Sequence, residues 1–391
     1  MARTYRLISS DGHLEVLPER WTSRVPKPYR DRAPRTVRLP DGGDAILIEG
    51  QPLQEAFFLD LRAGRPEGQW QPFGLRIEDT AGTGSPEQRV REQEMDGLDA
   101  EVLFPAMVAG PGLWRSISHD EVYRAVIRAY NDWLAEEYCA VAPERLLGLG
   151  VIPWTNVEDA VAELHHCARQ GLKGVVLGVL PSGQGYPTPA DDRFWAAALD
   201  VQMPVTVHVG FNRTGPRATQ PTFRYPKEPP EVMRRLRRPF LEWVAHFGLP
   251  PALSVTQLIL AGVFDRFPAL RVFFAETRLG WVPFWLESAD LWYQRHLPWA
   301  EQYLGFQRLK ELPSTYARQH IYWSVQYERV AIELRHHLGV DHILFATDFP
   351  HIECEWPNSR AVLARLYADV PAAERDRIWA GNAVDFFHLH G

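Results

Sequence analysis

Five ionisable residues stand at the ends of short apolar runs, and their types suit a divalent metal ion. Asp11 and His13 follow the run Tyr5–Ser9, within Ile-Ser-Ser-Asp-Gly-His-Leu-Glu. His208 ends Val-Thr-Val-His, Glu276 ends Val-Phe-Phe-Ala-Glu, and Asp348 ends Leu-Phe-Ala-Thr-Asp. A transition metal needs oxygen and imidazole donors converging on one point. The i, i+2 spacing of Asp11 and His13 in extended chain points both side chains the same way. Singly, each has an ordinary reading: His208 as a hydrogen-bonded core histidine, Asp348 as a helix cap, Glu276 as the partner of Arg278. Five such groups at one end of a fold are costly to bury without a metal, so the set says more than its members.

Donors so far apart in sequence converge only if their strands lie side by side. Apolar runs at Tyr5–Ser9, Ala100–Phe104, Leu146–Ile152, Gly174–Val179, Val205–Val209, Arg271–Ala275, Ile321–Val325 and His342–Ala346 read as eight strands. Helical spacing recurs between them, at Asp120–Val141, Asn156–Gln170, Asp191–Asp200 and Ser254–Phe267, and Ala372–Phe387 closes the chain. This alternation predicts an α/β chain folded as a distorted (β/α)₈ TIM barrel, one domain over residues 1–391, with an open doubly wound sheet as the alternative. Three stretches break the rhythm as insertions over the C-terminal face: about 21–89, with a hairpin around Ala45–Leu53, then 211–251 and 289–314. Barrel enzymes work at that face.

Composition excludes several classes. The formal charge is −7 and the only basic cluster is Arg234–Arg238, so no nucleic-acid partner is expected. No run approaches the ~20 apolar residues that cross a bilayer, and no membrane partner is expected. Three scattered cysteines make neither a disulfide framework nor a cysteine zinc site. Without a signal-peptide run at the start, they fit a cytoplasmic chain. Fourteen tryptophans suit both a large core and a pocket for a bulky apolar ligand. A homodimer is an open option.

Several segments carry a family resemblance that runs nearly end to end. They include Asp11-Gly12-His13-Leu14-Glu15, Met95-Asp96-Gly97-Leu98-Asp99, Tyr130-Asn131-Asp132-Trp133-Leu134 and Ala142-Pro143-Glu144-Arg145-Leu146. Further pieces are Phe264-Asp265-Arg266-Phe267-Pro268, Ala346-Thr347-Asp348-Phe349-Pro350-His351 and Gly381-Asn382-Ala383. The chain resembles the amidohydrolase superfamily, in particular the amidohydrolase-related branch that includes aminocarboxymuconate-semialdehyde decarboxylase. The resemblance implies ligand roles for Asp11, His13, His208 and Asp348. This sequence has Asp-x-His where the family often has His-x-His or Glu-x-His, and Glu276 where it often has His. The exchange of imidazoles for carboxylates favours iron or manganese, with zinc less suited, and allows one or two ions. Lys173 precedes its strand, which argues against the carbamylated lysine of binuclear relatives.

The expected chemistry is hydrolysis of an acyl derivative (thioester, ester or amide) of a bulky apolar acid by metal-activated water, with Asp348 as proton carrier and His351 assisting. Tyr327, Glu328 and Trp281 are expected to touch substrate, Glu15 either enters the site or pairs with an arginine, and Arg234–Arg238 could meet an anionic leaving portion. The alternative is metal-dependent, non-oxidative decarboxylation of an aromatic or unsaturated acid. A second alternative is a metal-free binding protein on a barrel scaffold.

Overall fold

A computed structural model describes residues 3–50, 54–55, 61, 63–66, 74–106, 111–211, 223–228, 241, 250–351 and 353–390. Eight parallel strands form one sheet in the order β1 (Ile8–Leu14), β5 (Ala100–Pro105), β6 (Leu146–Val151), β7 (Gly174–Val176), β8 (Val205–His208), β9 (Val272–Ala275), β10 (Ile321–Val325) and β11 (Ile343–Phe345). The remaining strands, β2 (Arg35–Arg38), β3 (Asp44–Leu47) and β4 (Gln54–Glu55), make a separate antiparallel sheet in the first insertion. All eight strands of the large sheet are almost wholly buried, and all but the first are mainly apolar, as parallel sheets covered on both faces must be. Each expected strand is present, and the barrel fold stands.

The sheet closes into a distorted barrel at a seam between its first and last strands. Gly12 and Phe349 form a parallel bridge. The Asp348 N–H donates to the Asp11 carbonyl at 2.9 Å, and the His13 N–H to the Phe349 carbonyl at 2.8 Å. Ser10 adds a hydroxyl donated to the Phe345 carbonyl at 2.8 Å. The first strand therefore continues through Asp11 and His13 instead of stopping at Ser9. Its polar residues disguise it, because side chains facing a functional interior need not be apolar. Between Ser9 and Gly12 its register against β5 slips, a bulge of the kind that re-aims side chains beside active sites.

Helices flank the strands at Asp120–Trp133, Val157–Arg169, Asp192–Asp200 and Pro250–Leu260. The helix expected to run through Phe267 breaks at Gly262, whose φ of +65° suits a residue without a side chain, and resumes at Val263–Arg266. Residues 289–314 are largely ordinary helix, since Val282–Leu304 runs 23 residues and Pro313–His320 follows. Trp281, Trp285 and Trp323 pack edge to face where the long helix meets β10, so these tryptophans build core. The Arg234–Arg238 cluster lies outside the described residues. Among the described residues no helix is long and apolar enough to cross a membrane.

Candidate metal centre

Strand ends deliver the donors, and the backbone is bent to do it. Glu276 and Asp348 have φ of +50° and +60°, and Val209, just past His208, has +57°. Positive φ is unfavourable for residues with a Cβ and most of all for β-branched valine. Such strain clusters at functional sites, where the surrounding structure enforces it. Here it turns the chain sharply at three strand ends around one point.

The side chains meet there. His13 Nε2 lies 3.2 Å from His208 Nε2, 3.1 Å from Asp348 Oδ1 and 3.4 Å from Asp11 Oδ1. His208 Nε2 lies 3.1 Å from Glu276 Oε2 and 3.7 Å from Asp11 Oδ2. Asp11, His13, His208 and Glu276 offer four ligand atoms within 4.8 Å of one another, and so do His13, Glu276, Asp348 and His351. Both oxygens of Asp11 are buried and, among the described residues, have no hydrogen-bond partner. Buried carboxylate oxygens in that condition call for a cation. The clustered His, Asp and Glu side chains thus form a site compatible with a divalent metal ion. Glu276 is not tied up by Arg278, which pairs with Glu353 at 2.7 Å.

The electrostatics record how closely these ionisable groups are crowded. Burial, with Asp348 and Glu276 adding to it, pushes the Asp11 carboxyl well above its ordinary range despite the opposing pull of His208. Burial would also raise Asp348, but hydrogen bonds from His13 and His351 hold its carboxyl below the usual carboxylate range. His13 is pushed down by burial and by its neighbour His351. His208 is raised, because Asp11 and Glu276 outweigh its burial.

Behind the cluster, His351 stacks on His13 with ring centroids 4.0 Å apart. Its Nδ1 lies 3.2 Å from Asp348 and its Nε2 lies 3.1 Å from Glu15. Burial would lower its pKa, but the two carboxylates lift it well above the ordinary value. Glu15 therefore enters the site through His351. Tyr327, Glu328 and Trp281 are placed differently. The Tyr327 hydroxyl meets Ser359 at 2.7 Å, Glu328 accepts the Leu279 N–H at 2.7 Å, and the Trp281 indole donates to the Thr277 carbonyl at 2.9 Å. The structure does not bring these three into the ligand cluster. Lys173 precedes β7, at the opposite end of the barrel from the cluster.

Sequence reasoning missed Arg89. Its guanidinium is fully buried and uses every N–H it has. Two bonds go to Glu101 at 2.7 and 2.9 Å, and the others reach the carbonyls of His13 at 3.0 Å, Phe349 at 3.1 Å and Gly82 at 3.1 Å. It thereby clamps the chain on both sides of the seam, next to His13 and next to Asp348. Gly12 makes room for this, since a Cβ there would stand 2.2 Å from Glu101 Oε1. The glycine between Asp11 and His13 was the legible half of that signal.

Above His208 a cavity of about 220 Å³ opens at the ends of β5 to β8, lined mainly by Phe104, Pro105, Val151, Trp154 and Leu177. Trp154 lies so close over Gly178 that a Cβ there would stand 2.0 Å from its ring. A larger cavity of about 410 Å³, lined by Met203, Arg271 and Tyr322 among others, lies at the far end of the strands and shares no residue with the cluster.

Comparison with known proteins places this geometry. The 2-amino-3-carboxymuconate-6-semialdehyde decarboxylase of Dictyostelium discoideum is 26% identical over 193 residues, and the match spans 49% of this chain and 47%, about half, of that relative. A gamma-resorcylate decarboxylase of a Rhizobium species is 24% identical over 349 residues, covering 83% of this chain and 92% of the relative. The 5-carboxyvanillate decarboxylase of Novosphingobium aromaticivorans, solved with manganese and 4-hydroxy-3-methoxy-5-nitrobenzoic acid, superposes with a TM-score of 0.65 at 18% identity over 98% of this chain and 96% of that one. These relatives correct the expected reaction. They are decarboxylases, and neither the acyl-hydrolase nor the thioesterase expectation survives the comparison. The family model described as amidohydrolase matches residues 11–389, from the first candidate ligand almost to the end of the sequence, and the chain belongs to that family.

Proposed function

We propose that the protein is a metal-dependent, non-oxidative decarboxylase of a small aromatic or unsaturated carboxylic acid. One observation carries the reading: His208 belongs both to the ligand cluster and to the wall of the apolar cavity. An acid with its ring in the cavity would bring its carboxylate to the cluster. Drug-sized ligands occupy roughly 300–1,000 Å³, so about 220 Å³ suits a single ring better than the bulky acyl group expected from the tryptophan count. The names of the relatives agree.

Asp11, His13, His208 and Glu276 would hold the ion, with Asp348 beside them. A carboxylate-rich set of this kind suits manganese or iron. When bound, such an ion supplies a Lewis acid for the carboxylate and a neighbouring oxygen. The chain's own residues supply the rest. Phe104 and Trp154 hold the ring and exclude water. As the bond to the carboxylate breaks, carbon dioxide leaves and the electron pair stays on the ring or alkene carbon. That carbon needs one proton. His351, whose Nδ1 lies 3.2 Å from Asp348 Oδ1, holds that proton, and Asp348 relays it to the carbon. Glu15, on the far side of the imidazole, keeps His351 protonated.

Manganese-loaded protein should release carbon dioxide from members of a panel of hydroxybenzoic and unsaturated acids. In heavy water, one deuterium should appear at the vacated carbon. Hydrolysis of esters or thioesters with no acid in the panel consumed would overturn the assignment.

A further inference from the structure

The β9–β10 side of the barrel mouth holds polar groups that no part of the proposed mechanism uses. Gln326 is 3% exposed, yet among the described residues neither its amide oxygen nor its amide nitrogen has a hydrogen-bond partner. The hydroxyls of Thr277 and Ser324 are equally buried and unpartnered. Buried polar side chains are normally satisfied, and three exceptions on adjacent segments ask for a common cause.

Register tells where Gln326 points. His208 pairs with Ala275, and Phe274 with Trp323, which sets Ser324 level with Ala275 and His208. Side chains alternate along a strand, so Ser324 and Gln326 share a face while Trp323 packs outward against Trp285 of the long helix. His208 faces the barrel interior, where it meets His13 of β1. Gln326 therefore lies on the interior face, one layer nearer the mouth than Ser324. It stands between the strand end that carries Glu276 and the one that carries Asp348, and the Ala346 N–H donates to Val325 just beside it. Thr277 directly follows Glu276.

We infer that Gln326, with Thr277 and Ser324, forms a polar recognition subsite for a hydroxyl substituent on the substrate. A carboxamide and two hydroxyls can each donate and accept, which matches a group that itself does both. A site built to hydrogen-bond a hydroxyl discriminates strongly against the analogue lacking it, because its own buried groups are then left unpaired. This assignment rests on the proposed decarboxylase reading, but it is tested by binding, so the two can fail separately.

Titration calorimetry on manganese-loaded protein, with benzoate and the three monohydroxybenzoates as probes, provides the test. At least one hydroxylated probe should bind about 10- to 100-fold more tightly than benzoate. Gln326→Leu should abolish that preference while leaving benzoate affinity and manganese content unchanged, and Thr277→Val should reduce it. The metal-free Gln326→Leu protein should also melt at a higher temperature than the parent, since an unpaired buried amide has been replaced by an apolar side chain. A structural role for the amide predicts a lower melting temperature instead. Absence of any hydroxyl preference in the parent, its persistence in Gln326→Leu, or a fall in melting temperature would each overturn the inference. Loss of decarboxylation with the binding preference intact would sink only the reaction assigned above.

Discussion

Arg89 and Glu101 face each other in a two-bond ion pair, at 2.7 and 2.9 Å, with both side chains almost fully buried. The pair sits behind Gly12, and the same guanidinium reaches both sides of the seam. Removing one partner of a buried pair leaves an uncompensated charge and costs about 3–5 kcal/mol. Arg89→Met should lower unfolding stability in urea by roughly that amount and weaken manganese binding. Unaltered manganese affinity in a folded Arg89→Met protein would confine the pair to a purely structural role.

Asp11 is a buried carboxyl whose oxygens lack hydrogen-bond partners among the described residues. Asp11→Asn should abolish stoichiometric manganese binding while leaving the metal-free protein as stable as the parent or more so, because no buried carboxyl is then held away from its ordinary ionisation. Elemental analysis after loading, together with thermal melts of metal-free protein, checks both halves. A variant that keeps full manganese would move Asp11 out of the ligand set.

The raised Asp11 carboxyl also fixes the sign of a pH effect. Its folded-state pKa lies above its unfolded value, so the metal-free fold favours the protonated form, and that contribution to stability is present at low pH and lost as pH rises through the folded pKa. An incoming cation must displace the proton. Manganese affinity should therefore fall as pH falls, and binding should release protons. Calorimetry in two buffers of different ionisation enthalpy measures the release directly; proton uptake would contradict the sign.

Gly178 leaves room for the Trp154 indole at the cavity wall. Gly178→Ala should push that indole into the cavity, raising KM for ring-bearing acids by about tenfold or more while manganese stoichiometry holds. Steady-state kinetics beside metal analysis would show it. A change confined to kcat would argue that the ring binds elsewhere.

The barrel was legible because parallel strands buried on both faces are continuous apolar runs, and Ala100–Pro105 and Ile321–Val325 read directly. The first strand was only half legible, since Ser10, Asp11 and His13 break the apolar pattern while still lying in the sheet. His208, Glu276 and Asp348 could be seen because each ends such a run, and the structure gathers them with Asp11 and His13. Arg89 lies in a helix with a polar sequence, where nothing local distinguishes a buried guanidinium from a solvated one. Tyr327 and Glu328 are legible only by their height along a strand, and height does not say which way a side chain turns. The reaction was misjudged for another reason: hydrolysis and decarboxylation need much the same ligands. They differ in what the neighbouring cavity admits, and no single strand encodes that.

The seam between Gly12 and Phe349 also sets a temporal order. The candidate site draws on the first and last strands of the large sheet, so a nascent polypeptide made from its N-terminus cannot assemble it until synthesis has passed Asp348. Fragments that end before the last strand, Ile343–Phe345, lack that strand and a carboxylate of the cluster together. A chain able to form the candidate centre whole has therefore already acquired all eight strands of its large sheet.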